Sequence, residues 1–95
     1  MAAALIVRHR VANFESWKKA FDGMTDVRRS HGWISTIVYR DATDPNVVTI
    51  VNRVKDLDGA KRYGSSPELR AGMQAGGVQG VPEVFFTEEA EEKSY

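Results

Sequence analysis

Four stretches of this chain read as β-strands, and all four are apolar at consecutive positions rather than at alternate ones. Strand side chains point alternately to the two faces of a sheet, so a sheet covered on one side only should alternate apolar with polar. Here Leu5, Val7, Val11, Trp33, Ile37, Tyr39, Val48, Ile50, Val54 and Phe85 read as one face. Ala4, Ile6, Ile34, Val38, Val47, Val51, Val84 and Phe86 read as the other. The helices of so short a chain can cover only one of them. A contiguous exposed apolar patch marks an interaction site, and a second copy of the same chain is the simplest cover. The expectation is a homodimer joined through the face carrying Ile6, Ile34, Val38, Val47, Val51 and Phe86.

At 95 residues the chain is one domain, short enough that dimerisation would relieve a shortage of core. Lysine plus arginine equal aspartate plus glutamate, 13 of each, so no global field recruits nucleic acid or an anionic membrane. Without cysteine there is no disulfide framework, thiolate nucleophile or zinc–thiolate site, which fits a cytoplasmic protein. The apolar start, Met1 to Val7, is too short for a signal peptide and runs into Arg8-His9-Arg10. No apolar run approaches the roughly 18 residues of a membrane span. Residues 1–88 read as the domain, and 89–95 as an acidic, solvated tail.

The elements run strand, helix, strand, strand, helix, strand. Residues 3–11 form the first strand. Asn13 caps the helix that follows, with Glu15 in its first turn. Phe14, Trp17, Phe21 and Met24 make its apolar stripe, Arg28 and Arg29 its last turn, and Gly32 its stop. Trp33–Arg40 and Asn46–Val54 form a hairpin around the turn-rich Asp41-Ala42-Thr43-Asp44-Pro45. Asp56 or Asp58 caps a short helix through Tyr63. Ser66-Pro67-Glu68 restarts it, Leu69 and Met73 share its buried stripe, and Gly76-Gly77 ends it. Val84–Glu88 is the last strand.

This βαββαβ order predicts an α+β, ferredoxin-like sandwich with a four-stranded antiparallel sheet. Its first and third strands are expected side by side and parallel. Pairing Arg40 with Val47 would set Ser35 opposite Asn52 and Trp33 opposite Val54. His9 would then fall at the same sheet end, giving one patch of Trp33, Ser35, Asn52 and His9.

The run Val7-Arg-His-Arg-Val-Ala-Asn-Phe-Glu-Ser-Trp17-Lys-Lys-Ala-Phe21-Asp resembles the opening of dimeric α+β barrel proteins. Arg40 through Asp44-Pro45-Asn46, Asp56-Leu57, Ser66-Pro67-Glu68-Leu69 and Gly76-Gly77-Val78 extend the likeness over roughly residues 4 to 88. The branch most similar is that of antibiotic-biosynthesis monooxygenases. The resemblance implies a homodimer whose sheets face each other, each protomer keeping a small-molecule pocket between sheet and helices. One departure stands out. Quinol-oxidising members commonly carry a carboxylate-x-Trp at the end of the third strand and a histidine on the next helix. Here those positions read Asn52-Arg53-Val54 and Tyr63.

Each candidate residue has a chemical and a plain reading. His9 is a general base near neutral pH, or a strand histidine bonded to its neighbour. Asn52 holds a carbonyl or enolate oxygen, or is a strand-end polar group. Trp17, Phe21 and Met24 are core first and pocket wall second. Trp33 and Tyr63, with Phe21 and Met73, would enclose a ring. Arg8, Arg10 and Arg53 read as interface or rim charges, and His31, Arg28 and Arg29 as solvated helix-end cations. Gly72 to Gly80 lacks the phosphate-loop pattern, and His9 and His31 share no metal-ligand spacing.

Two functions from different classes follow. One is a cofactor-independent, monooxygenase-like enzyme on a small aromatic or polyketide-type molecule, with His9 as base and Asn52 as donor. It would use no metal, and the same equipment would serve a cyclase or isomerase. The other is a non-catalytic ligand-binding or assembly module.

Overall fold

The computed structural model describes residues 3–95. The first two positions of the expected domain, Met1 and Ala2, lie outside the described residues. Strands β1 (Ala3–Val11), β2 (Trp33–Arg40), β3 (Val47–Val54) and β4 (Val78–Glu88) form one sheet in the order β2-β3-β1-β4. Every neighbouring pair is antiparallel. Helices α1 (Phe14–Asp22) and α2 (Thr25–Ser30) connect β1 to β2, and α3 (Leu57–Gly64) and α4 (Pro67–Ala75) connect β3 to β4. This is the α+β, ferredoxin-like arrangement. No helix among the described residues is long and apolar enough to cross a membrane.

The expectation that β1 and β3 are parallel is wrong. The helical crossover returns the chain to run β2 in the direction of β1, and the hairpin then reverses β3. The consequence is large, because His9 pairs with Val48 while Asn52 pairs with Leu5. Four residues of extended strand separate the two rungs, about 13 Å. His9 and Asn52 share a face but not an end.

The hairpin register also differs. Arg40 pairs with Val48, Thr36 with Asn52 and Ser35 with Arg53, and an irregularity between Trp33 and Ser35 restores Trp33 opposite Val54. Asp41 fixes this. Its backbone N–H bonds the Val47 carbonyl at 2.8 Å, and its carboxylate accepts the Thr43 and Asp44 N–H groups, both at 3.1 Å. Asp41 thus forms a rung of its own, and the strands slide by one residue. Ser35 therefore leaves the covered face, and Thr36 takes the position beside Asn52.

A slip of one residue exchanges faces. Val38 is not on the open face but packs against the core around Val11, Trp17, Val48 and Ile50. Phe86 pairs with Leu5 on the covered face, whereas Phe85 pairs with Ile6 on the open one. Ile37 and Tyr39 are open-face residues, 49% and 53% exposed, as is Phe85 at 52%. The apolar open face is built on Ile6, Ile37, Tyr39, Val51 and Phe85.

The caps at Asn13, Asp56 and Ser66 are present, accepting from the N–H groups of Ser16, Gly59 and Leu69. The first helix, however, is two. Gly23 and Met24 interrupt it, and the Thr25 hydroxyl bonds the Asp22 carbonyl at 2.7 Å, taking a partner that a continuous helix would use. Strand β4 begins at Val78 rather than Val84. Gly80 (φ 71°) supports the irregularity opposite Arg8–Arg10 that lets Val78 and Gln79 rejoin the ladder. Pro82 is tolerated because β4 is an edge strand.

Candidate functional site

On the covered face the buried side chains of β1 and β3 alternate strictly, Val48, Ile50, Asn52 and Val54 against Leu5, His9 and Val11. They separate into two core clusters. One holds Leu5, Val54 and Ala60 beneath α3, and the other holds Val11, Trp17, Val48 and Ile50 beneath α1. A cavity of about 500 Å³ lies against both, roofed by α1, α2, α3 and α4. Its wall is mostly apolar, the usual character of a small-molecule site.

Of the residues singled out from sequence, His9, Asn52, Trp33, Tyr63, Phe21, Met73 and Trp17 line this cavity. Ser35 does not; it pairs with Arg53 on the open face. The expected single patch is therefore divided. Trp33 and Asn52 stand toward the end where β1 begins, and His9 toward the end where it finishes.

His9 is buried, 7% exposed, and meets the edge of Trp17 with ring centroids 5.6 Å apart. Its Nδ1 has no hydrogen-bond partner among the described residues. Burial among rings lowers its pKa from the usual histidine value, outweighing a raising interaction with its own backbone. The side chain is held neutral.

Asn52 is tied on both sides. Its amide nitrogen donates to the Leu5 carbonyl at 3.0 Å, and its amide oxygen accepts from the Thr36 hydroxyl at 3.0 Å. One amide hydrogen remains for a ligand. Thr36 was not legible as a partner, because it depends on the register that Asp41 sets.

An aromatic wall joins the two ends. Trp17 stacks on Phe21 at 4.8 Å, Arg28 lies 3.7 Å over the Phe21 ring, and the Tyr63 and Trp33 rings meet in a T-shape with centroids 4.9 Å apart. Trp33 Nε1 is buried without a partner. Burial raises the Tyr63 hydroxyl pKa, and the nearby Arg28 charge opposes that rise. Arg28 itself corrects the reading of a solvated helix-end cation, for it is only 7% exposed and lines the cavity. The signal was present. Arg28 continues the spacing of Phe14, Trp17, Phe21 and Met24, so helical periodicity places it on the buried stripe.

No family model matches the chain, and no curated protein matches it. Solved structures do. SnoaB, a cofactor-independent oxygenase from Streptomyces nogalater, superposes with a TM-score of 0.78 at 13% identity, covering 96% of this chain and 95% of that one. A candidate antibiotic biosynthesis monooxygenase from Bordetella bronchiseptica gives 0.79 at 12% identity, covering 95% of this chain and 98% of that one. Another from Caulobacter crescentus gives 0.75 at 17% identity, covering 95% and 91%. At such identities the likeness is one of architecture, and the chain has the fold of antibiotic-biosynthesis-monooxygenase-like proteins.

Proposed function

We propose that this protein is a homodimeric, cofactor-independent, monooxygenase-like enzyme acting on a planar aromatic or polyketide-type substrate. The observation that carries the reading is the His9 imidazole, set against Trp17 in the wall of a 500 Å³ apolar cavity, where burial lowers its pKa and so favours the neutral form. A neutral imidazole accepts a proton, and a dry wall strengthens every polar contact inside it. The likeness in fold to a cofactor-independent oxygenase supports the same class of chemistry.

In this reading His9 removes a proton from a ring CH₂ or hydroxyl of an electron-rich phenol or anthrone. The resulting carbanion transfers an electron to dioxygen, and recombination forms a C–O bond to a peroxide. Protonation of that peroxide and loss of the second C–H proton release water and leave a carbonyl. The balance is CH₂ + O₂ → C=O + H₂O. Since Asn52 lies about 13 Å along the sheet from His9, it serves a different part of the ligand than the carbon His9 deprotonates. An elongated fused-ring substrate reaches both.

The dimer is proposed through the open face of Ile6, Ile37, Tyr39, Val51 and Phe85. Each apolar side chain fully buried there contributes roughly 1.5–3 kcal/mol. The arginines around it are already neutralised, Arg8 by Asp41, Arg10 by Asp44 and Arg53 by Glu89. Val51→Glu should yield a monomer or an unfolded chain in sedimentation. A native protein that sediments as a well-folded monomer at micromolar concentration refutes the dimer. The cysteine-free composition suits a cytoplasmic location.

The enzymatic reading is tested by following oxygen uptake and product with quinols and anthrones. His9→Ala should lower turnover about 10²–10⁴-fold with the dimer intact. Equal turnover by the variant places the base elsewhere. Binding without turnover by the native protein favours the non-catalytic module.

A further inference from the structure

The chain carries equal numbers of acidic and basic side chains, yet the cavity wall does not. Arg28, Lys61 and Arg70 line it, and no aspartate or glutamate does. Arg28 is the unusual member. A guanidinium this deeply buried is normally paired, because an uncompensated charge away from water is costly. Among the described residues no carboxylate comes within ion-pair distance of Arg28. Asp22, whose charge reaches it, is held by Lys18 at 2.6 Å. The contacts Arg28 does make are the Phe21 ring, a long 3.4 Å hydrogen bond to the Thr25 hydroxyl and a side-chain interaction with the neutral Tyr63 hydroxyl. None uses the full fork of donors. Trp33, another wall residue, holds a buried N–H with no acceptor among the described residues.

From a buried guanidinium without an acid, an indole N–H without an acceptor and a wall without carboxylates, we infer that the cavity selects a planar aromatic carboxylate. The guanidinium fork of Arg28 receives the carboxylate and the indole N–H of Trp33 serves the same end. The fork of an arginine matches a carboxylate with two parallel hydrogen bonds, which a hydroxyl or amide cannot reproduce. The rings of Phe21, Trp17 and Tyr63 hold the planar body of the ligand. The cations Lys61 and Arg70 add a field that draws an anion inward. This inference rests on the reading of the cavity as a ligand site made above. It adds an orientation: the acid lies at the Arg28 end, so the opposite end of the ligand is delivered to His9.

The probes are 2-naphthoate and 2-naphthamide, which share shape and differ in charge, titrated into the full chain by calorimetry. The native protein should bind the carboxylate roughly tenfold or more tightly than the amide, the worth of a charge-assisted hydrogen bond. Arg28→Met should bring the two affinities together by weakening the carboxylate far more than the amide, and Arg28→Lys should keep part of the preference. Because Arg28→Met removes an unpaired buried charge, its melting temperature should match or exceed that of the native protein. A native protein that binds both probes equally, or neither, overturns the inference. So does an Arg28→Met variant that keeps the preference. If Arg28→Met fails to fold, Arg28→Gln and the native ratio of affinities decide. His9→Ala should retain the full carboxylate preference. Lost preference with intact His9-dependent turnover removes only the anion site, and the reverse removes only the enzymatic reading.

Discussion

The two ends of the cavity each carry a buried polar side chain, His9 at one and Asn52 at the other, and the two are held differently. At the His9 end the imidazole lies against the Trp17 ring, and its buried Nδ1 has no hydrogen-bond partner among the described residues. At the Asn52 end the polar side chain is bound into the sheet, clamping β1 through the Leu5 carbonyl and β2 through Thr36. An unsatisfied group in a packed interior costs stability, whereas a satisfied one contributes to it. His9 is thus left without a polar partner among the described residues, while Asn52 is a tie between three strands.

The sharpest way to break this contrast is to remove each side chain in turn. His9→Ala is expected to reduce turnover about 10²–10⁴-fold and to leave the melting temperature nearly unchanged. Asn52→Ala is expected to do the reverse. It strips a donor from the buried Leu5 carbonyl and an acceptor from Thr36, at about 1–3 kcal/mol, while turnover falls by a smaller factor. Denaturant melts beside oxygen-uptake rates on the two variants check both halves. If Asn52→Ala proved as inactive as His9→Ala without loss of stability, the division between the ends would not hold.

A second comparison concerns the helix over the Asn52 end. Gly59 of α3 packs so closely on the end of α2 that a Cβ there would collide with the His31 carbonyl oxygen. Gly59→Ala must push α3 outward, and with it Tyr63, which closes over Trp33. The expected cost is about 1–3 kcal/mol, the range for overpacking a close contact. Ligand affinity should weaken as the Tyr63–Trp33 pair opens, and His9 chemistry should survive in the remaining bound fraction. A denaturation midpoint equal to the native one would show that the helix yields freely.

Much of this fold could be read from the residues because period and caps are local signals. The stripe of Phe14, Trp17 and Phe21, the capping Asn13 and Ser66, and the consecutive apolar positions of the strands each report on a few neighbours. That His9, Asn52 and Trp33 share a sheet face was also legible from strand alternation, and Tyr63 reaches the same cavity from α3. Their division between two ends was not, because it depends on strand direction, which follows from the path of the crossover. Ser35 was exchanged for Thr36 for a related reason: Asp41 sets the register through bonds to Val47, Thr43 and Asp44. Arg28 reads as a solvated cation because an arginine in a last helical turn argues for solvent, although its spacing argues for the interior.

The smallest expected effect, and the one that isolates the His9 end, is on pH. Burial lowers the His9 pKa, and the cavity wall supplies Arg28, Lys61 and Arg70 but no acid to hold an imidazolium. In the unfolded chain His9 returns to the ordinary value of about 6.5, so at mildly acidic pH the unfolded state binds more protons than the folded one. Stability from this group is then complete above that value and is lost as pH falls from it toward the lowered folded value. Thermal melts from about pH 8 down to about pH 5.5 should show a decline that is shallower in His9→Gln than in the native protein. The activity profile should carry the same sign. A base that stays neutral under acid keeps working, so the acid limb of kcat/KM lies below about 6.5. An acid limb above that value, or an identical melting profile in His9→Gln, would mean that His9 is solvated rather than buried against Trp17.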